Sequence, residues 1–322
     1  MNVISGHIDA VSPKKSETRL PIDGNDRLIM NVQSLREPIA PQRDCLALVN
    51  LERYPVHNFD SPVLREVINA ARKDLAENGC LRLPGFIRAD AFDLLAEETT
   101  MLAPRALYSS DEYTPYGTGP DKSSHEGHPR RRAHRSTSGS VTRDLIPMEA
   151  WIQRLYDNPA IMSLVAACLE ADEIHQFADP MRGLIINVMD EGNVLGWHFD
   201  ANEFIVSLMT RRADKGGTFE YSPGIRAPGN ENFDAVQSVL NGGKGLVTNL
   251  DLQVGDLQIF KGRYSLHRVN RVESGIRHTA IFGYAREPGF IGSAASTMKV
   301  YGRVMPEHIA AENNRHSDGL SD

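Results

Sequence analysis

From about His175 onward the chain is cut into short runs of Val, Ile, Leu and Phe separated by Gly, Pro, Asn and Asp, and this spacing is what most restricts its fold. The runs are Gly183–Met189, Phe204–Met209, Thr218–Tyr221, Leu246–Thr248, Asp256–Phe260 and Arg277–Tyr284. All are too short for helices, and strands at that density, bounded by turn residues, predict a β-sandwich, jelly roll or barrel. Upstream the period changes from two to nearly four. Beginning near Ser61, with Pro62 in the first turn, apolar Val63, Leu64, Val67, Ile68, Ala71 and Leu75 recur at helical spacing until Gly79. A strand over Cys80–Phe86 follows, then a helix over about Ala89–Leu102 and two more that begin near Pro147 and Pro159, where proline suits a first helical turn. The predicted fold class is therefore α+β and mainly β, with N-terminal helices flanking a jelly-roll core.

Residues 1–44 are polar and aperiodic and are expected to be a poorly ordered or surface-draped arm. A single domain is expected over 45–302, with a helical part 45–174 and the β core 175–302, followed by a polar tail over 303–322. Within the helical part, 105–142 is rich in Gly, Pro, Ser and charge. A connection that long inside a compact domain is usually a lid. The longest stretch free of Asp, Glu, Lys and Arg is Asn158–Leu169, far short of the roughly 20 residues of a membrane span. The first residues contain no apolar signal-peptide core, which points to the cytoplasm. Cys45, Cys80 and Cys168 are too widely spaced for a zinc ribbon and too few for a disulfide framework, so they are expected to be buried and reduced. A net charge of −7 argues against nucleic acid as a partner.

Chemistry concentrates in Gly196-Trp197-His198-Phe199-Asp200. In extended backbone, residues two apart point the same way, so His198 and Asp200 can converge on one metal. His267 follows on a different strand, and Arg277 stands ten residues beyond it on a strand where Thr279 and Ile281 share its face. Two imidazoles and one carboxylate make the facial triad of non-haem Fe(II) oxygenases, which keeps coordination positions open. An arginine at the Arg277 position can hold a carboxylate bidentately. Two other classes compete. Zinc on the same three residues would make a hydrolase, but that leaves Arg277 without a role and supplies no general base. A non-catalytic small-molecule-binding β-helix domain would be favoured by a missing ligand, and none is missing.

On these motifs, Gly183 to Tyr284 resembles the Fe(II)/2-oxoglutarate-dependent dioxygenase superfamily, whose core is a double-stranded β-helix of the cupin-like kind. Asn78–Phe86 resembles the entry strand of phytanoyl-CoA-hydroxylase-like members. Trp197–Phe204 together with Gly216–Tyr221 is similar to a branch of amino-acid hydroxylases and radical halogenases. The resemblance implies His198, Asp200 and His267 as iron ligands, Arg277 on the distal carboxylate of 2-oxoglutarate, and Asn187 as a polar strand residue beside the cosubstrate. Trp197 is expected to support His198. The implied cofactors are Fe(II), 2-oxoglutarate and O2, and the implied reaction is hydroxylation of an unactivated C–H bond with release of succinate and CO2. In the halogenases a small residue replaces the carboxylate and vacates a site for halide. This chain keeps Asp200, which implies hydroxylation. Desaturation, cyclisation or epoxidation with the same cofactors are the alternatives.

The implied substrate is a small polar molecule, an amino acid or a metabolite derived from one. Arg132 and His134, in the basic run His128–Arg135, are candidates for its carboxylate, against a solvated loop as the ordinary reading. Arg226 is a further candidate, with a surface arginine as its alternative. Glu126 and Asn202 are candidates for a substrate amine through the resemblance alone. His278 should point to the sheet face opposite Arg277, and Asp256 reads as a turn acid before a strand.

Overall fold

The structure is a computed structural model that describes residues 44–243, 245–312 and 320. Apart from Asp44, the N-terminal arm expected over 1–44 lies outside the described residues, as do 313–319, 321 and 322 of the expected tail. The helices are α1 (Pro62–Asn78), α2 (Phe92–Leu102), α3 (Trp151–Asp157), α4 (Pro159–Cys168), α5 (Phe233–Leu240), α6 (Ala294–Tyr301) and α7 (Pro306–Ala311). The strands are β1 (Cys80–Leu83), β2 (Leu107–Tyr113), β3 (His134–Thr142), β4 (His175–Gln176), β5 (Leu184–Met189), β6 (Leu195–His198), β7 (Ile205–Arg211) and β8 (Lys215–Gly216). They continue with β9 (Phe219–Ser222), β10 (Thr248–Leu250), β11 (Leu257–Phe260), β12 (Leu266–Val269), β13 (Val272–Ser274), β14 (Arg277–Phe282) and β15 (Tyr284–Ala285).

Two antiparallel sheets form the core. The major sheet runs β1-β11-β7-β14-β5-β3-β2 and the minor sheet β10-β9-β12-β6. Neighbours in these sheets are mostly distant in sequence, which is the jelly-roll connectivity. The helices cover the outer face of the major sheet. On α1, Leu64, Ile68, Ala71 and Leu75 are buried at helical spacing, and Gly79 ends the helix at φ +62°, where a side chain would be strained. These residues join one core with Ile161 and Leu164 of α4, Val206 and Leu208 of β7, and Ala280 and Phe282 of β14. Each of the larger apolar side chains, Leu, Ile, Val or Phe, contributes about 1.5–3 kcal/mol through removal from water. The opposite face of β14 carries Arg277 and Thr279 into the interior, so the strand is buried on both faces and shows little polar alternation.

Two boundaries differ from expectation. The segment 105–142 is not one long lid: β2 and β3 pair from Leu107–Ser140 to Tyr113–His134 and extend the major sheet through β3–β5 pairing. Only 114–133 connects them. The strand His134-Arg-Ser-Thr-Ser-Gly-Ser-Val-Thr142 is Ser- and Thr-rich because its polar residues line the interior, and composition alone therefore reads it as a loop. Past residue 303 the expected polar tail carries α7, whose His308 is fully buried. His308 Nε2 lies 3.2 Å from Asp179 Oδ1. The same carboxylate, itself fully buried, accepts the N–H groups of Met181, Arg182 and Gly292 at 2.8–2.9 Å. One acid thus ties the C-terminal helices to the entry of β5. Among the described residues no helix is long and apolar enough to cross a membrane. All three cysteines are buried and free.

Asp179→Ala leaves three backbone donors and one imidazole without their acceptor. We expect a loss of about 3 kcal/mol or more, at about 1–3 kcal/mol per stranded buried donor, read as a lower urea midpoint.

Candidate active site

The site is built by strand register. Antiparallel pairing of β12 with β6 sets His267 directly opposite His198, with ring centroids 4.1 Å apart. Asp200 lies two residues on, just past the end of β6, and its N–H donates to the Gly262 carbonyl at 3.2 Å. His267 Nε2 is 3.4 Å from Asp200 Oδ2, and His198 Nε2 is 3.8 Å from Oδ1. The three groups each offer one ligand atom, all within 4.8 Å of one another. Each imidazole is turned by a backbone carbonyl two residues earlier: His198 Nδ1 pairs with Gly196 O at 2.8 Å and His267 Nδ1 with Ser265 O at 3.0 Å. A carbonyl can only accept, so each Nδ1 carries the proton and each Nε2 presents its lone pair to the shared point. This donor set fits a divalent transition metal.

Electrostatics agree with that use. Burial, reinforced by the neighbouring His267, pushes the His198 pKa down to about 4, against the opposing pull of Asp200 and the Gly196 carbonyl. Burial works to raise Asp200, yet His267, which also hydrogen-bonds to it, with His198 and Arg226, holds it below the usual carboxylate range. Space around the carboxylate is shaped by Gly262: a Cβ there would fall 1.7 Å from Asp200 Oδ2. Phe260 and Phe219 wall off His267, with ring centroids 4.8 and 5.7 Å from the imidazole.

Arg277, at the start of β14, is 4 % exposed, and among the described residues its one hydrogen bond is to Met189 Sδ at 4.0 Å. Its Nε has no partner among the described residues. Burial pushes its pKa down to about 10, so the guanidinium keeps its charge at neutral pH. The close approach of neighbouring backbone depends on Gly216 and Gly217: a Cβ on Gly216 would meet the Arg271 carbonyl at 2.1 Å, and one on Gly217 would come within 3.2 Å of Arg277 Cδ. Asn187 of β5 is paired in register with Thr279 of β14, and its Nδ2 lies 3.5 Å from the Gly139 carbonyl. Among the described residues Thr279 Oγ1 finds only Met209 Sδ, at 3.8 Å. Buried polar groups so weakly satisfied mark a place for a polar ligand.

The remaining candidates scatter. Arg226 is not a surface residue: it is 3 % exposed, its Nε donates to the Arg263 carbonyl at 2.7 Å, and NH1 pairs with Glu231 at 2.9 Å. Asn202 donates both amide hydrogens to the carbonyls of Phe204 and Tyr284 and so ties down the loop after Asp200. Arg132 is half-buried and bonds Asn241 at 2.5 Å; Glu126 is exposed in the connection before β3. His134 is half-buried, its Nε2 has no partner among the described residues, and burial with Arg132 and Arg268 pushes it to about 4. Trp197 does not support His198. Alternation along β6 sends it to the outer face of the minor sheet, where the Arg268 guanidinium lies 4.6 Å from its ring and the α5 residues Val236 and Val239 join it. His278 does face away from Arg277, against Thr99, and Asp256 accepts the Gly85 and Gln253 N–H groups as a turn acid.

Sequence reasoning missed Tyr113. Alternate residues Leu107, Ser109, Asp111 and Tyr113 form the more buried face of β2. The Tyr113 phenol lies beside Ser136 of β3, and burial first, then Asp111 and Asp200, raise its pKa against the opposing influence of Ser136. The period-two pattern was the available signal, hidden by the polarity of the segment. Gly262 had none.

A sequence profile for a family described as Halogenase D matches residues 63–294. No curated protein matches the chain. Among solved structures, a 2OG-Fe(II) oxygenase family oxidoreductase from Burkholderia pseudomallei is similar at 17% identity, over 69% of this chain and 92% of that one, with TM-score 0.45. A prolyl hydroxylase from Trichoplax adhaerens, solved with a hypoxia inducible factor peptide, is similar at 13% identity, over 69% and 90% of the two chains, with TM-score 0.47. AviO1 from Streptomyces viridochromogenes is similar at 16%, over 67% and 94%, with TM-score 0.47.

His134, His198 and His278 are each pushed from 6.5 to about 4, chiefly by burial. Between those values the unfolded chain takes up protons that the folded chain refuses, so stability is lost as pH falls through that window. Thermal unfolding of metal-free protein should show a midpoint that drops steadily from about pH 6.5 toward pH 4, consistent with these shifts; a flat profile there would contradict the buried neutral imidazoles.

Proposed function

We propose, for a chain that belongs to the Halogenase D family and with it to the Fe(II)- and 2-oxoglutarate-dependent oxygenases, that it hydroxylates an unactivated C–H bond of a small polar substrate, an amino acid or a metabolite derived from one. The observation that carries this reading is the Asp200 carboxylate, held within 4 Å of both His198 and His267. His198, Asp200 and His267 would hold Fe(II). Arg277 would take the distal carboxylate of 2-oxoglutarate, with Thr279 and Asn187 beside it. When bound, Fe(II) with 2-oxoglutarate and O2 supplies the oxidising power to put oxygen into a C–H bond, with release of succinate and CO2.

The protein's own part is orientation, charge and dryness. The two Nε2 lone pairs and the carboxylate stand ready without reorganisation, because the Nδ1 protons are committed to backbone carbonyls. A buried guanidinium that has no carboxylate partner among the described residues gains strongly from a bidentate anion. Phe219 and Phe260 keep water from His267. The family's description names halogenation, and the retained carboxylate supports hydroxylation instead, since in the halogenases that the chain resembles this position is vacated for halide. A zinc hydrolase would leave the buried Arg277 unexplained.

A polar substrate is supported by the wall that β2 and β3 turn inward: Ser109, Asp111 and Tyr113 across from His134, Ser136 and Ser138. Among the described residues Asp111 forms no ion pair, and it suits a substrate amine. Three buried free thiols support a reducing compartment, the cytoplasm.

An anaerobic visible spectrum of metal-free protein given Fe(II) and then 2-oxoglutarate should develop a charge-transfer band only with both, and His267→Ala should abolish it. No band, with zinc bound tightly instead, would favour the hydrolase. Asp200→Ala should abolish hydroxylation. Arg277→Ala should raise the 2-oxoglutarate requirement roughly 10- to 100-fold, the worth of a charged hydrogen-bonded contact; a normal requirement would remove 2-oxoglutarate from this site. Gly262→Ala should displace the carboxylate and weaken Fe(II) binding while the fold persists, checked by metal titration beside circular dichroism.

A further inference from the structure

The two histidines of the site owe their positions to sheet register, but Asp200 lies beyond the last residue of β6, in a stretch with no strand partner before β7 begins at Ile205. Among the described residues its one backbone tie is the bond to Gly262. Something else must fix the direction of the carboxylate, and the surroundings of Phe199, the residue between His198 and Asp200, show what does. The Arg226 guanidinium lies 3.8 Å from the Phe199 ring centroid. Its edge donates through Nε to the Arg263 carbonyl at 2.7 Å and through NH1 to Glu231 Oε2 at 2.9 Å. Arg263 in turn donates through NH1 to the Ala201 carbonyl at 2.9 Å. The residues on either side of Asp200 are therefore each gripped, Phe199 by the face of one guanidinium and Ala201 by the edge of another. The first guanidinium is anchored to the residue that carries the second.

Only a planar cation does this, stacking by its face while bonding by its edge. Burying it in an ion pair is weak evidence for a contribution to stability, and geometric specificity is the better-attested return. The same ring also takes the first residues of the 114–133 connection. Phe199 N–H donates to the Pro115 carbonyl at 2.9 Å, and Tyr116 stacks on Phe199 at 5.7 Å. Glu231, which holds Arg226, also lies 4.0 Å from Arg130 near the far end of that connection.

We propose that Arg226 is a positioning residue: acting through Phe199 and Arg263, it aims the Asp200 carboxylate at the point shared by the two histidines. The inference rests on the reading of His198, Asp200 and His267 as a metal site. Supports of this kind are worth about 10- to 100-fold in metal affinity.

Co(II), added to metal-free protein and followed by its visible absorption, provides the test, with urea unfolding of the metal-free protein run alongside. Arg226→Lys keeps the charge and loses the stack and the Nε bond; it should weaken Co(II) binding at least about tenfold and alter the absorption envelope. Phe199→Leu should act in the same direction, and the double variant should be no worse than the weaker single within about twofold, because both remove one linkage. Should Arg226→Lys fail to fold, Arg263→Gln, which removes the bond to Ala201, carries the same expectation. Wild-type affinity and an unchanged spectrum in these variants, with only urea stability reduced, would overturn the proposal and leave Arg226 a brace of its own loop. An Asp200→Ala variant separates the two levels: if it binds Co(II) as tightly as wild type, the metal reading itself falls and takes the inference with it.

Discussion

The pairing of β12 with β6 is the constraint on which the rest of this structure depends. Side chains alternate along a strand, so a register that sets His267 against His198 brings both imidazoles to the inner face, and a slip of one residue would send either to the outer face. The register is held from both sides. On β12 the other neighbour is β9, and the pairing Leu266–Ser222 to Val269–Phe219 places aromatic Phe219 and Tyr221 on the same inner face. On the outer face, Arg268 bonds Glu220 and lies over Trp197, and α5 covers the pair. Both faces are thus committed, and the slipped alternative would bury charge and expose aromatics at once.

Division of labour between the sheets follows. The major sheet, backed by helices, is the rigid wall that carries Arg277, Thr279 and Asn187, while the minor sheet carries the imidazoles. Rigid elements position side chains more closely than loops. The carboxylate is the exception, standing on a loop, and it is there that arginines and a glycine replace hydrogen-bonded strands as the means of placement. The hairpin of β2 and β3 completes the enclosure by adding a polar surface opposite the ligating groups.

Much of this was legible in the residues, and the illegible parts have physical causes. The period of α1, its proline start and its glycine stop are local properties, and they match the helix found, Pro62–Asn78. The jelly roll was legible from strand density. The structure also brings His198, Asp200 and His267, distant in sequence, to one place. What sequence could not show was the sidedness of a strand with both faces occupied: Trp197 reads as a neighbour of His198 and lies on the far side of the sheet. The β2–β3 hairpin was hidden because its interior is polar, so the usual signal of a strand, apolar alternation, is absent. Arg226 was ambiguous because what occupies it, Glu231 and the Phe199 ring, is brought to it only by the tertiary fold. The buried His308 failed for the same reason, since its partner Asp179 is 129 residues away.

The contact between Gly262 and Asp200 reaches beyond the geometry of one protein. A side chain at 262 and a carboxylate at 200 claim the same volume, so the two positions cannot drift independently. A descendant that shortened residue 200 would release position 262 to accept a methyl or more. Once it had done so, the acid could return only after glycine had returned to 262, a step with no benefit of its own. Loss of the carboxylate in this lineage would then act as a ratchet, easy to enter and difficult to leave.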